Sequence, residues 1–476
     1  MKKTATLTLI LICLMALGIV CNRPVKAQYQ GGITINADGS VTPSTAPIHQ
    51  KGNVYTLTGN LNGSVIVEKD NIVFDGAGFT LQGSGNVTDQ YGFPQYNGPQ
   101  NETAISLTGR TKDTIENLNI TDFGIGIALY NSSKCIISGN KLYNNNDGIS
   151  LTNSWNNWIK QNDFENITTT AVGGNGSSNL ISENRIVKDS NQGIFVGGSN
   201  DVISGNYMEA NFIDIYVASS QNSIIGNNIT GVGYGIGIQF VYGYVYGNVI
   251  SKNWISNCDI AIWDSEYSNN NTIFENNIVG NSFAVFSDDG FSNETLFRNN
   301  FINNTQIVGF LNEYYETPMQ YNSPQIIENH NWDNGTQGNY WSDYLTKYPA
   351  AKEVDSSGTY DTPYMVTLPP PSYPYIFYDY HPLIDTVEIS QNVTELPFWT
   401  TPTPTLTPTN QAVPTSYVVI IVVVAVALAV FLISFLFYRN RRKSLSPTAT
   451  VAAASGTSVV VVVGAGLLVC FKKRKH

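Results

Sequence analysis

The sequence predicts an all-β protein built around a right-handed, single-stranded parallel β-helix, and two observations support this prediction. Isoleucine followed three residues later by asparagine recurs about once every 22 residues, and another large apolar residue follows two positions after each asparagine. Apolar residues at spacing two indicate strands rather than helices. Three short strands and three turns fit in such a period, and stacked repeats of this length bury one continuous core. A leucine-rich repeat has a similar period, but its Leu-x-x-Leu-x-Leu pattern is absent.

The repeated asparagines predict a structural ladder. Stacked in register, each side-chain amide can donate to one neighbouring coil and accept from the other, and asparagine tolerates the left-handed conformation that bends require. Coils stacked ~4.8 Å apart would give a rod on the order of 50 Å long. The expected ladder residues are Asn140, Asn162, Asn184, Asn206, Asn227, Asn253, Asn276 and Asn299.

The N-terminal segment predicts secretion. Residues 1–27 have a basic start, an apolar stretch and a small-residue exit at Ala27, as a cleaved signal peptide has. Cys21 raises a lipoprotein alternative, which Val20 before it disfavours. We assign residues 28–396 to the β-helix domain, with repeats over about 104–310 and a C-terminal cap over about 311–390.

The C-terminal segment predicts a membrane anchor. A Thr/Pro-rich stretch, 397–416, is typical of an extended stalk, and the apolar residues 417–438 are long enough for a transmembrane helix. Basic residues follow at 439–443, which places that end in the cytoplasm and the β-helix domain outside the cell. The basic tail, 439–476, holds a second apolar segment, 451–471, which could form a hairpin with the first, lie on the membrane, or be an unused second anchor.

Composition limits the partners. Only 13% of residues are charged and the net charge is −11, with no basic patch before the tail, so nucleic acid is excluded as an expected partner. Dense Asn-x-Ser/Thr sequons suggest a glycosylated exterior.

Cys135 and Cys258 fall about five coils apart, roughly 24 Å along the axis, which is too far for a disulfide.

Several segments resemble the NosD-type (periplasmic copper-binding) parallel β-helix repeat family. They are the opening strand at 71–83 (NIVFDGAGFTLQG) and the closing motifs at 338–344 (GNYWSDY), 361–364 (DTPY) and 381–383 (HPL). The resemblance covers roughly residues 54–385 and implies a pectin-lyase-like fold. The signal, stalk and single span resemble archaeal, membrane-anchored surface members of that family.

The resemblance raises two questions about metals. In the family, an Asp/Gly-rich loop between the last motifs looks suited to Ca²⁺. Here only Glu353, Asp355 and Asp361 remain, which are candidates for a structural cation but fewer than a calcium loop supplies. A plain cap over the last coil is the alternative, and we expect no cofactor. Copper requires His, Met or Cys ligands, and the chain offers only scattered residues of these types, among them His49, His330, His381 and Met208.

An outward aromatic row is the candidate ligand-binding feature. Aligning the Gly-Ile strands places Phe195, Tyr216, Trp263 and Phe286 on one outer face, where aromatic rings suit sugars. Packing of the row beneath a loop is the alternative reading. In a longer coil, Tyr242 and Tyr244 alternate with Tyr246, as in a ligand-gripping hairpin or a β-bulge packed on a loop.

Aspartates near this row are the candidate catalytic residues. They are Asp264, Asp288 and Asp289, with Asp214 close by, and a carboxylate pair suits glycoside chemistry. No Arg or Lys accompanies them, which counts against a lyase.

Three functions remain open from sequence. The leading one is a membrane-anchored cell-surface protein with a structural or adhesive role, which binds glycans or neighbouring surface proteins. The alternative is a membrane-tethered polysaccharide hydrolase or lyase, which requires an open groove with two of those carboxylates ~5–10 Å apart. The third is copper or other metal handling, which requires a convergent His/Met/Cys cluster.

Overall fold

The structure is a computed structural model that describes residues 29–85, 102–188, 191–231, 233–238, 245–264, 268–287, 293–310, 331–367 and 376–389. Three long parallel sheets, here called A, B and C, run along the coils, and each coil contributes one strand to each sheet. The predicted right-handed parallel β-helix is therefore confirmed. Among the described residues no helix is long and apolar enough to cross a membrane. The predicted signal peptide, stalk, transmembrane helix and tail lie outside them.

Sheet A has thirteen strands, in the spatial order Tyr29–Gln30, Leu61–Asn62, Thr80–Gln82, Asn119–Thr121, Lys141–Tyr143, Asp163–Glu165, Arg185–Val187, Tyr207–Glu209, Asn228–Thr230, Trp254–Ser256, Asn277–Val279, Asn300–Ile302 and Tyr340–Trp341. Sheet B has thirteen, in the order Val41–Thr42, Ile33–Ile35, Val65–Val67, Thr103–Thr108, Ile125–Tyr130, Asp147–Thr152, Thr170–Gly174, Gln192–Val196, Ile213–Val217, Tyr234–Ile238, Ile260–Asp264, Phe283–Ser287 and Gln306–Phe310.

Sheet C has twelve strands: Ile48–Lys51, Val54–Leu57, Val73–Asp75, Thr114–Glu116, Ile136–Ser138, Trp158–Lys160, Leu180–Ser182, Val202–Ser204, Ser223–Ile225, Val249–Ser251, Thr272–Phe274 and Thr295–Phe297. Two small pairings complete the described strands. Val245–Tyr246 pairs in parallel with Ser268–Asn269, and Tyr364–Thr367 pairs antiparallel with Ile376–Asp379.

The core is a set of apolar columns inside the coils. In one coil, Ile159 of sheet C, Phe164 of sheet A and Val172 of sheet B all point inward and are fully buried. Equivalent residues stack in register from coil to coil, as Ile159 does on Ile181. Each such side chain contributes roughly 1.5–3 kcal/mol through burial. Because a column runs through every coil, the stability of each coil depends on its contacts with the coils on either side.

Bends between the sheets follow one local rule. At each of the three bends, a residue with positive φ comes directly before a buried, mostly polar residue: Asn156 (φ 56°) precedes Asn157, Gln161 (φ 54°) precedes Asn162, and Asn144 (φ 56°) precedes Asn145. The left-handed residue turns the chain sharply, and asparagine adopts this conformation more readily than most residues. The strands between these bends are therefore short, with two to six residues each.

Both ends of the coil stack are covered. At the first coil, Ile48–Lys51 and Val41–Thr42 pair antiparallel with their neighbours and change the strand direction. At the last coil, the short helix Tyr344–Lys347 and the antiparallel pair Tyr364–Thr367 and Ile376–Asp379 form a cap. Covered edges prevent strand addition by another chain. Residues 311–330 of the predicted cap lie outside the described part.

Candidate functional site

The predicted aromatic row lies on the outer face of sheet B. Strand register places Phe195 beside Tyr216, Tyr216 beside Gly237, Gly237 beside Trp263, and Trp263 beside Phe286. Phe195, Tyr216 and Trp263 are each partly exposed. Phe286 is only 7% exposed and meets Phe283 edge-on, with ring centroids 5.4 Å apart. Phe286 therefore offers little surface to a ligand, although its place in the row is as expected.

Two further rings, which sequence reasoning missed, extend this surface. Phe212 is 54% exposed and meets Tyr234 at 5.3 Å, and Tyr234 meets Trp263 at 5.0 Å between centroids. Phe195 and Tyr216 form a neighbouring pair at 5.5 Å. We call these five residues the aromatic strip. Tyr234 could have been found from sequence, because the repeat aligns it with the polar residues Asp147, Thr170 and Gln192 of earlier coils.

The aspartates predicted near the row do not offer an open carboxylate pair. Asp214 and Asp264 are fully buried, so neither carboxylate is open to a ligand on the strip. Side chains alternate between the two faces of a strand, and Asp264 directly follows the outward Trp263, so it points inward. Asp214 accepts a 2.7 Å hydrogen bond from Asn211 Nδ2, and burial raises its pKa well above the usual range.

Other predicted residues of this region lie outside the described part. These are Asp288, Asp289, Tyr242 and Tyr244. Tyr246 is exposed, and it pairs with Asn269 in the short parallel bridge beside sheet C. The described residues thus form an aromatic surface without the two-carboxylate geometry of a glycosidase.

The cap carboxylates bind their own loop. Glu353 Oε1 accepts from the Gly358 N–H at 3.2 Å, and Asp361 Oδ1 accepts from the Lys352 N–H at 3.0 Å. The latter bond, with one from Thr362, lowers the pKa of Asp361. Asp355 has positive φ (42°) at the turn of the same loop. Within the described ranges, no three His, Cys, Asp or Glu side chains converge as metal ligands.

A copper site does not fit the described residues. His49 lies in the first hairpin, whereas His381 lies in the cap with Nδ1 3.4 Å from Asp333 Oδ2. Met208 is a core residue. Cys135 and Cys258 are buried free thiols, and burial raises the pKa of Cys135 to about 12 and also raises that of Cys258. Thiolates are the metal-binding form of cysteine, and these thiols stay protonated. His330 lies outside the described residues.

The predicted asparagines occupy the bends between sheets C and A, one per coil. Where both members are asparagines, the side-chain oxygen accepts from two donors of the preceding coil: Asn206 Oδ1 accepts from the Asn184 N–H at 2.9 Å and from Asn184 Nδ2 at 3.0 Å. Asn206 Nδ2 donates in turn to Ile181 O and Asn227 Oδ1. This first ladder continues past Asn299 to Asn339, whose N–H donates to Asp379 Oδ2 at 2.7 Å.

Two more ladders, which sequence reasoning missed, occupy the other bends. The second contains Asn157, Asn179, Asp201, Asn222, Asn248 and Asn271, and ends on Glu294. The third includes Asn281 and Asn304, with Asn145 at an earlier coil. Their shared period of about 22 residues was the available signal, but the third column is interrupted by Ile167 and Cys258.

No curated protein matches the chain. Among solved structures, an exopolygalacturonase from Thermotoga maritima is 13% identical, with TM-score 0.36 over 52% of this chain and 74% of its own. A GH87 α-1,3-glucanase from Streptomyces thermodiastaticus is 12% identical, with TM-score 0.41 over 55% of this chain and 59% of its own. A periplasmic alginate epimerase is 12% identical, with TM-score 0.42 over 58% and 82%.

One protein-family model matches the chain over two overlapping segments. Residues 60–232 and 215–346 both match the family described as periplasmic copper-binding protein (NosD). Together these two segments cover more than half of the 476 residues. The chain therefore belongs to the NosD family.

Proposed function

We propose that this protein is a non-catalytic β-helix of the cell exterior, which binds polysaccharide through the aromatic strip on sheet B. The observation that carries the proposal is the strip itself. Phe212 is more than half exposed and is linked through Tyr234 to Trp263, with Phe195 and Tyr216 beside them. The apolar faces of sugar rings stack on such aromatic surfaces. The family name supports an exterior location.

The size of the strip favours a polymer over a single sugar. Phe195 and Trp263 are three coil steps apart, which is roughly 14 Å at the strand spacing. A chain lying parallel to the coil axis would cross several rings. Its affinity would then be the sum of several weak stacking contacts.

Charge favours a neutral polymer. The residues that align with Tyr234 along sheet B, Gln192, Ile213, Ile260 and Gln306, are uncharged. Recognition of a uronate normally uses arginine or lysine to pair with each carboxylate. The predicted stalk and membrane helix would hold this surface away from the cell, as an adhesive role requires. Copper is not included, because the described residues bring no ligand set together.

Substitutions in the strip should weaken binding. We expect Trp263→Ala and Tyr216→Ala each to reduce affinity for a neutral polysaccharide about tenfold, since a lost aromatic contact is worth about 1–1.5 kcal/mol. Isothermal titration calorimetry on the full-length chain, against a panel of neutral and uronate polymers, measures the change. Trp155→Ala is the matched control, because Trp155 is 45% exposed but lies at a bend away from the strip.

The outcomes separate the candidate functions. Binding that Trp263→Ala weakens and Trp155→Ala does not supports the proposal. Release of shortened products, lost on Asp288→Asn or Asp289→Asn, would instead make the protein a polysaccharide-cleaving enzyme. Absence of binding to every polymer in the panel would refute the glycan-binding role.

A further inference from the structure

Before it ends on Glu294, the second ladder contains one acid, Asp201, between asparagines. Asn157, Asn179, Asp201, Asn222 and Asn248 are consecutive members, and all are buried. In a typical rung the side-chain nitrogen of one asparagine donates to the side-chain oxygen of the next. Asn157 Nδ2 donates to Asn179 Oδ1 at 3.1 Å in this way, and Asn248 Nδ2 donates to Asn271 Oδ1 at 3.1 Å. An aspartate has no such nitrogen, so its rung must be made differently.

At Asp201 the accepting half of the rung is complete. Its Oδ1 accepts from the Asn179 N–H at 2.6 Å and from Asn179 Nδ2 at 3.2 Å. The Asp201 N–H also donates to Asn222 Oδ1 at 2.8 Å, as in the other rungs. In the other rungs the side-chain nitrogen donates the second hydrogen bond, and in Asp201 the second carboxyl oxygen takes the place of that nitrogen. A carboxylate has no proton to donate there, whereas a protonated carboxyl group has one O–H donor.

The surroundings of Asp201 contain no charge that would stabilise the ionised form. The bends that stack around it comprise residues 174–179, 197–201 and 218–222, and Asp201 is the only ionisable side chain in these three segments. Burial raises its pKa to about 7, although the two bonds from Asn179 lower it. In the ionised form, the carboxyl oxygen that takes the place of the amide nitrogen of the other rungs has no proton to donate to Asn222 Oδ1. Two acceptors in contact inside a buried column repel each other.

We propose that Asp201 is a proton-dependent rung of the second ladder, which closes the β-helix at this bend when protonated and loosens it when ionised. The proton comes from solvent, binds the second carboxyl oxygen and is donated to Asn222 Oδ1, which completes the rung as asparagine would. Loss of the proton returns it to solvent and leaves a buried charge. The adjacent bends at 197–201 and 218–222 then open more often.

The direction of the pH dependence follows from linkage. The pKa of Asp201 is raised in the folded protein, so its stabilising effect is fully present below the unfolded pKa of about 4 and is lost as pH rises through about 7. Between these two values the local opening equilibrium should increase about tenfold per pH unit, because opening releases one proton, and above about pH 7 it should level off. Asp113 and Asp379 also have pKa values raised to about 7. A local measurement is therefore needed to isolate Asp201.

Hydrogen exchange with mass spectrometry on the full-length chain provides this measurement. We expect peptides covering 197–201 and 218–222 to lose protection steeply as pH rises from about 4 to about 7 and to level off above it, after correction for intrinsic exchange. Asp201→Asn supplies a permanent amide donor, so its protection should stay high across the same range. Asp163→Asn is the matched control, because Asp163 is a partly exposed acid on sheet A, and it should keep the wild-type profile.

A double variant tests whether the effect follows the acid. In Asp201→Asn with Asn157→Asp, the steep loss of protection should move to the bends around residue 157. The proposal is overturned if wild-type protection at 197–201 does not change with pH. It is also overturned if Asp201→Asn remains as pH-sensitive as the wild type. The wild-type profile alone is decisive if the double variant does not fold.

Discussion

Replacing Asn206 with leucine is expected to destabilise the β-helix by about 4 kcal/mol, because several buried polar groups lose their partners at once. The variant removes the acceptor for the Asn184 N–H and Nδ2, and the donor to Ile181 O and Asn227 Oδ1. Each unsatisfied buried group costs about 1–3 kcal/mol. Leucine is similar in size to asparagine but can replace none of these four bonds.

Thermal and chemical unfolding followed by circular dichroism would measure this loss. Asn228→Thr is the matched control, because Asn228 lies in a nearby strand of sheet A and is only partly buried. We expect its stability to stay within about 0.5 kcal/mol of the wild type. Equal stability of Asn206→Leu and Asn228→Thr would show that the ladder contributes little beyond filling the bend.

Replacing Trp341 with alanine is expected to detach the C-terminal cap at a cost of about 4 kcal/mol. The Trp341 ring stacks between Phe301, at 4.5 Å, and Tyr364, at 4.2 Å between centroids. Its Nε1 also donates to Asp379 Oδ2 at 2.8 Å, the carboxylate that ends the first ladder. One substitution therefore removes the stack that links the last coil to the cap, and a partner of a buried acid.

Limited proteolysis should show cleavage within residues 344–389 before the coils are cut, since each coil contacts mainly its neighbours and an end can open by itself. Exposure of the last strands should also promote association between molecules. Tyr380→Ala is the control, because Tyr380 is a cap aromatic that is 60% exposed. A cap as resistant to protease as the wild type would contradict this role of Trp341.

The aromatic strip shows where sequence reasoning succeeds and where it stops. Alignment of the Gly-Ile strands located Phe195, Tyr216, Trp263 and Phe286 in one row, because register in a parallel stack is set by a constant repeat. The same alignment could not show that Phe283 covers Phe286, since ring positions depend on packing between neighbouring strands. Phe212 escaped notice because it lies just before its strand, where the two-residue alternation does not apply.

The aspartates show a different limit. Asp264 follows Trp263 directly, and strict alternation already implied that it points inward. The assignment near the outer strip rested on proximity in sequence, which does not show whether a side chain is exposed, and Asp264 is fully buried. The cap loop shows the same limit of sequence reasoning. The sequence identifies Glu353 and Asp361 as acids, but their hydrogen bonds from the Gly358 and Lys352 N–H groups depend on how the loop folds back.

The sequence by itself determined the repeat, the strand spacing and the identity of the inward columns, because each depends only on a local alternation repeated with a constant period. The tertiary structure alone decided which polar side chains are buried and which are open to a ligand. Asp201 and Asp214 are both acids in or beside strands, yet each is buried, while Phe212 remains exposed. Burial arises from side chains that are far apart in the chain and meet only when the coils stack, so no local pattern encodes it.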